Sequence, residues 1–207
     1  DMHLAYLPNP LTGVRLRLSI YGGERQAQEE RIKERLEALK GILGDAMYSD
    51  DDDTLETCIA KLLKGTGKTI STAESCTGGK LAALLSKHSG SSAFYKGSVI
   101  SYANSVKRDI LGVSEEILNT HGAVSEETVV VMANSIRKQL DADYGIAISG
   151  IAGPTGGTPD KPVGTVWMAW ATPTQTIAEC VQLGKLREQI TDRACQKAMI
   201  KLIQLLR

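Results

Sequence analysis

The chain has 207 residues, 42% of them hydrophobic and only 4% aromatic, which allows one sizeable aliphatic core, or one core with a small companion. Lys and Arg number 24, equal to the 24 Asp and Glu, and a chain without basic excess is a poor candidate for a nucleic-acid binder. Cys58, Cys76, Cys180 and Cys195 form no Cys-x-x-Cys pair and His3, His88 and His121 are scattered, so neither a zinc clamp nor a disulfide-built module is supported.

Taken in chain order, Gly13 to Tyr21 sets Val14, Leu16, Leu18 and Ile20 against Arg15, Arg17, Ser19 and Tyr21, the alternation of a half-buried strand, and Gly22-Gly23 breaks it. Glu24 to Leu43 carries Ile32, Leu36, Leu39 and Leu43 at helical spacing among charged residues, which predicts an amphipathic helix. These two elements make a small α+β unit over residues 1–48, with too little core to stand comfortably alone. The acidic run Asp50 to Asp53 reads as a solvated linker over 49–54, with Asp53 as N-cap and Glu56 as its reciprocal partner for a helix through Leu55, Ile59, Leu62 and Leu63.

From residue 55 to 207, strand-like and helix-like segments alternate, as in an α/β layered domain. Lys68–Ala73 is a short strand, and a helix through Leu81, Leu84 and Leu85 follows the Ser75 loop. Gly97–Tyr102 is a second strand, and Asn104 is placed to cap a short helix closed by Gly112. Ser125 opens a longer helix with Val129, Ala133, Ile136 and Leu140, and Tyr144–Ser149 is a buried strand. Val163–Ala171 and Thr176–Leu183 pair as a hairpin, and Ile190–Leu206 is a closing amphipathic helix. No run approaches the ~18 apolar residues that span a bilayer, and no basic-then-apolar stretch opens the chain. A reduced, cytoplasmic protein with no membrane partner is expected.

Three stretches carry candidate chemistry. In Thr72-Ala-Glu-Ser-Cys-Thr-Gly-Gly79 a strand runs through a turn of small residues into a helix, whose first N–H groups are unpaired and favour an anion. A capped helix start would show the same pattern. In Tyr102-Ala-Asn-Ser-Val-Lys107 the lysine falls in the first turn of the helix expected after Asn104, where the dipole disfavours a cation and, with burial, lowers the amine's pKa. A lysine pointing into water is the plainer alternative. Ser149-Gly-Ile-Ala-Gly-Pro-Thr-Gly-Gly157 follows a buried strand as a binding loop or a long turn, and has neither P-loop nor dinucleotide-fingerprint spacing. Arg187 offers a fork of donors suited to phosphate.

Together with His121-Gly-Ala-Val-Ser-Glu-Glu127 and Lys161-Pro-Val-Gly-Thr-Val-Trp167, these segments resemble, in order, the CinA C-terminal domain family, whose enzymatic members are nicotinamide-nucleotide amidohydrolases. The likeness covers residues 55–207. Leu4-Ala-Tyr-Leu-Pro8 and the strand and helix after it resemble the small KH-like middle domain of full-length CinA proteins, so the chain reads as a carboxy-terminal portion of such a protein. The resemblance implies a three-layer α/β/α sandwich with a mixed sheet. It also implies hydrolysis of the carboxamide of nicotinamide mononucleotide to nicotinic acid mononucleotide and ammonia, with no cofactor and no metal. Carried onto matching positions, Ser75 is the nucleophile, Lys107 the base and Tyr102 its assistant. Glu74, Cys76, Thr77, Gly78, Gly79, Asn104, Gly150, Gly153, Thr155, Gly156 and Arg187 surround the substrate, with backbone donors near Thr77 and Gly78 for the oxyanion. A homo-oligomer, for instance a dimer, is expected.

Two departures from the family pattern stand out: Gly184-Lys-Leu-Arg187 replaces a Gly-Asp-Arg, and Ala103 replaces a serine. Cys76 competes with Ser75, since a thiol at a helix start is readily activated. A non-catalytic nucleotide-binding or scaffold module is the rival function. RNA binding by the first block would need a Gly-x-x-Gly clamp, which residues 1–50 lack.

Overall fold

The computed structural model describes residues 2–9 and 13–207. Strands β1 (Met2–Asn9) and β2 (Gly13–Ile20) pair antiparallel, Met2 opposite Ile20, and helix α1 (Arg25–Leu43) follows. β1 has no clean apolar alternation and was not among the predicted elements. No residue of these three elements is fully buried, and the predicted apolar stripe of α1 is only half-covered.

Helix α2 (Leu55–Leu63) starts one residue later than a cap at Asp53 requires. Thr54 is the N-cap and accepts from the Thr57 N–H, while Asp53 pairs with Lys61 at 2.7 Å and accepts from Ser49. The side chain next to the helix wins the cap, and the aspartate is drawn to the nearer cation.

The remaining elements are β3 (Ile70–Glu74), α3 (Lys80–Leu85), β4 (Tyr95–Ile100), α4 (Asn104–Asp109), α5 (Glu115–Thr120), α6 (Glu126–Gln139), β5 (Tyr144–Gly150), β6 (Thr165–Ala171), β7 (Thr176–Gln182) and α7 (Arg187–Leu206). They form a five-stranded sheet in the order β4-β3-β5-β6-β7. β3 is parallel to both β4 and β5, whereas β5, β6 and β7 run antiparallel in turn. Helices cover both faces, giving the three-layer α/β/α sandwich with a mixed sheet. Among the described residues no helix is long and apolar enough to cross a membrane.

Side-chain size decides how closely each helix layer approaches. Alternate residues of a strand point to opposite faces. Ile70, Ile146, Ile148, Val166, Met168 and Trp170 meet Leu55, Ile59, Leu81, Ala198 and Leu202 from α2, α3 and α7. The other face shows Ala73, Ala147, Ala169 and Ala171, and α6 lies on it through Val129, Met132, Ala133 and Ile136. Gly145 belongs to that small-residue face: a Cβ built there would stand 2.2 Å from the Ala133 carbonyl oxygen and 2.6 Å from Arg137 Cβ. Gly145→Ala is therefore expected to push α6 off the sheet and to destabilise the domain by about 3 kcal/mol, the upper end of ordinary overpacking. Urea unfolding, read as a lower midpoint at unchanged slope, checks it.

Chain order places a crevice. From β3 the chain passes through α3 on one face to β4, then through α6 on the other face to β5 on β3's opposite side. The carboxyl ends of β3, β4 and β5 thus open at a switch in topology, where such sheets hold ligands.

Candidate active site

Ser75 directly follows β3, Ser101 and Tyr102 follow β4, and Gly150 ends β5. Lys107 reaches back to them from α4. Its Nζ stands 3.0 Å from Ser75 Oγ and donates to the Ser101 carbonyl at 2.7 Å, with the Tyr102 carbonyl at 3.5 Å. Lys107 is 1% exposed and Ser75 8%. The lysine's three partners are all uncharged oxygens, and burial, outweighing the opposing influence of Cys76, holds its pKa below the ordinary lysine range.

Of the two causes expected for that shift, burial acts and the helix dipole does not. Helix α4 starts at Asn104 with Ala103 as a cap that makes no side-chain bond, so Asn104 is the first helical residue and not the cap. Lys107 lies in the last turn of a six-residue helix, where the dipole favours a cation, and desolvation alone lowers the pKa.

The turn after β3 is held from several directions. The Ser75 N–H donates to the Ile148 carbonyl at 2.9 Å, the Gly78 N–H to the Ser75 carbonyl at 3.1 Å and the Lys80 N–H to the Thr77 carbonyl at 3.1 Å. Gly78, expected to stabilise an oxyanion, has its N–H committed. Among the described residues no backbone hydrogen bond engages the N–H groups of Cys76 and Thr77. Gly79 has φ +95°, a left-handed backbone conformation that favours glycine there.

Glu74 does not face a ligand. It is completely buried, and its Oε2 accepts from Thr77 Oγ1 at 2.7 Å, the Gly79 N–H at 3.1 Å and the Leu81 N–H at 3.0 Å. Oε1 accepts from the Ala82 N–H at 2.7 Å. The positive start of α3, expected to await a substrate anion, is occupied by a carboxylate of the chain itself. Strand alternation explains this, since residues 70, 72 and 74 point to the face on which α3 packs.

Cys76 is folded inward. A Cβ on Gly150 would lie 3.1 Å from Cys76 Sγ and 2.7 Å from Val166 Cγ2, so this thiol packs on glycine backbone at the end of β5. Burial pushes its pKa up to about 12, opposite to the activation expected of a thiol at a helix start.

Tyr102 is 61% exposed, and its hydroxyl accepts from Arg187 Nη2 at 3.0 Å. Arg187 Nη1 donates to the Gly153 carbonyl at 2.9 Å. The phenol therefore joins the guanidinium at the rim, and only the Tyr102 carbonyl approaches Lys107. Between these groups is a cavity of about 240 Å³, lined by Ser75, Cys76, Tyr102, Asn104, Lys107, Gly150 and Arg187 among the expected residues. Glu74, Thr77, Gly78, Gly79, Gly153, Thr155 and Gly156 do not line it; Thr155 and Gly156 lie exposed on the loop beyond.

Sequence reasoning missed Ser101, whose carbonyl holds the amine, and the wall of Ala123, Val124 and Ser149. Ser149 Oγ donates to the Ala123 carbonyl at 2.7 Å, and Lys161 Nζ to the carbonyls of His121 and Val124 at 2.7 and 2.8 Å. Ala123 and Val124 lie within the His121–Glu127 motif, just before Ser125, the residue expected to open the next helix. A larger hollow of about 620 Å³ lies beside the acidic run Asp50 to Asp53, but its Asp50 and Asp53 are already paired with Lys40 and Lys61. Among the described residues no three His, Cys, Asp or Glu side chains converge as a metal site.

Residues 52–206 match the family model described as the CinA C-terminal domain. A CinA-like protein of Cytophaga hutchinsonii is 46% identical over 187 residues, covering 90% of this chain and 44% of that protein. Another, of Salinibacter ruber, is 46% identical over 175 residues, 83% of this chain and 41% of its own length. The chain thus spans less than half the length of these curated relatives. Among solved structures, the competence/damage inducible protein CihA of Agrobacterium tumefaciens superposes with a TM-score of 0.72 at 37% identity, over 74% of this chain and 94% of that one.

Proposed function

This chain belongs to the CinA C-terminal domain family, and we propose that it hydrolyses the carboxamide of nicotinamide mononucleotide with Ser75 as nucleophile and Lys107 as base. The observation that carries the proposal is the 3.0 Å contact between a buried, charge-unpartnered amine and the Ser75 hydroxyl, at the wall of a cavity.

A neutral amine has two N–H bonds and one lone pair. With the hydrogens directed to the Ser101 and Tyr102 carbonyls, the lone pair is left for the Ser75 hydroxyl. Ser75 Oγ attacks the carboxamide carbon while its proton passes to Lys107 Nζ. The tetrahedral oxyanion falls to the backbone N–H of Cys76, which lines the cavity and makes no backbone hydrogen bond. The ammonium of Lys107 returns its proton to the nitrogen as the carbon–nitrogen bond breaks and ammonia leaves. Water then attacks the Ser75 ester, giving its proton to Lys107; the ester bond breaks, Ser75 regains a proton, and nicotinic acid mononucleotide departs.

The mononucleotide is preferred over free nicotinamide as substrate because Arg187 and Tyr102 set a cationic, hydrogen-bonding rim on the same cavity. Arg187→Ala is expected to raise KM for the mononucleotide by about 10- to 100-fold with kcat within a few-fold, since charge-assisted bonds to phosphate are worth ~1.5–3 kcal/mol. Steady-state ammonia release against substrate concentration checks the split. Residues 1–48 and 49–54 are assigned in the same proposal to a KH-like companion unit and its linker.

The deciding assay measures ammonia released from nicotinamide mononucleotide and from free nicotinamide, with Ser75→Ala as the blank. Release from the mononucleotide alone, absent in the blank, supports the proposal. Calorimetric binding of the mononucleotide with no ammonia above the blank would replace it with a non-catalytic nucleotide-binding module.

A further inference from the structure

We propose that Glu74 is the positioning residue of this site: its carboxylate occupies the start of α3 as a built-in anion, and thereby fixes Ser75 Oγ against Lys107 Nζ. The inference rests on the hydrolase reading above for its kinetic consequence, but not for its geometry.

Residue 74 references both members of the pair. Through its side chain it gathers Thr77, Gly79, Leu81 and Ala82, the whole far side of the turn that carries Ser75. Through its backbone it holds Ser101: the Ser101 N–H donates to the Glu74 carbonyl at 2.7 Å and Ser101 Oγ donates to the same oxygen at 3.3 Å. The Ser101 carbonyl in turn accepts from Lys107 Nζ at 2.7 Å. A closed path therefore runs from Glu74 to Ser101, Lys107, Ser75 and back to Glu74, with the only charged acceptor in it satisfied by uncharged donors.

The chemistry favours a carboxylate at this place. Three donors converge on Oε2 and a fourth on Oε1, and each bond to an ionised acceptor is stronger than its neutral counterpart. Glutamine supplies one acceptor oxygen and turns an NH₂ toward at least one N–H, so it cannot satisfy the set. A substrate anion is also kept from α3, which directs phosphate toward Arg187 instead.

The test compares Glu74→Gln and Thr77→Val with the wild-type chain. Glu74→Gln is expected to lower kcat about 100-fold with KM within threefold, because displacement of a reacting atom by about 1 Å costs that much in rate. Thr77→Val, nearly isosteric and keeping the carboxylate, removes one donor and is expected to lower kcat about fivefold at unchanged KM; it decides the matter if the glutamine variant does not fold. A rise in KM with kcat retained in either variant would make Glu74 a substrate contact and overturn the proposal, as would kcat within twofold of wild type in every variant that folds. A readout independent of turnover is the titration of the Lys107 side chain by carbon NMR, assigned by its disappearance in Lys107→Met. Loosening of the turn by Glu74→Gln admits water and moves that titration up toward the ordinary lysine range. If the wild-type chain releases no ammonia, the hydrolase reading fails, and an unmoved Lys107 titration then overturns the role of Glu74 separately.

Discussion

Ser75→Ala is expected to abolish ammonia release, with a loss on the order of 10⁴-fold or more, while Cys76→Ala keeps activity within a few-fold. The two side chains are adjacent in sequence but have different surroundings. Ser75 Oγ lies 3.0 Å from the Lys107 amine, whereas the Cys76 thiol is pressed against Gly150 and pushed up to about 12. Burial thus keeps the thiol protonated at neutral pH, and the thiol form is a poor nucleophile. Truncating Cys76 removes a buried sulfur and should cost about 1 kcal/mol of stability, which a thermal melt reads independently of rate. Full activity in Ser75→Ala, or its loss in Cys76→Ala with folding intact, would transfer the nucleophile to the thiol.

Lys107→Met is the second large effect, with kcat expected to fall about 10³-fold, inside the range general bases contribute. Stability should stay within about 1 kcal/mol of wild type. Relief from burying an amine and loss of the hydrogen bond to the Ser101 carbonyl oppose each other at similar size. Because the amine must be neutral to accept a proton, wild-type rate rises with pH through the Lys107 ionisation, and the residual rate of the variant lacks that limb. The linkage has a definite sign. Burial lowers the folded-state pKa, so between it and the ordinary lysine value the unfolded chain binds more protons than the folded one. Stability therefore climbs with pH across that window in the wild type relative to Lys107→Met. Denaturant midpoints of the pair measured at several pH values check it, and parallel curves would show that the lysine is solvated.

The element order of the main domain was legible because period-2 and period-3.6 apolar patterns survive into the structure. Ser125 caps α6 as its hydroxyl predicts, and the run from Tyr144 is a buried strand. β1 was invisible because Met2 to Asn9 lacks alternation, and α5 because its two apolar residues, Ile117 and Leu118, are adjacent and show no helical period. The cap of α2 and the start of α4 each fell one residue from expectation: at α2 the hydroxyl of Thr54 takes the cap N–H in place of Asp53, and at α4 the chain is already helical at Asn104, behind Ala103, a cap without a side-chain bond.

By itself the sequence determined the layered architecture and the identity of the reactive stretches, because backbone periodicity and turn chemistry are local properties. Only the tertiary structure decided which groups face one another. Ser75 and Lys107 are 32 positions apart yet share a hydrogen bond, Glu74 turns into the helix start and not toward the cavity, and Tyr102 extends to Arg187, 85 residues on. Burial and the resulting proton affinities follow from contacts that close across the sheet, and no local pattern in the chain encodes the solvent that those contacts exclude.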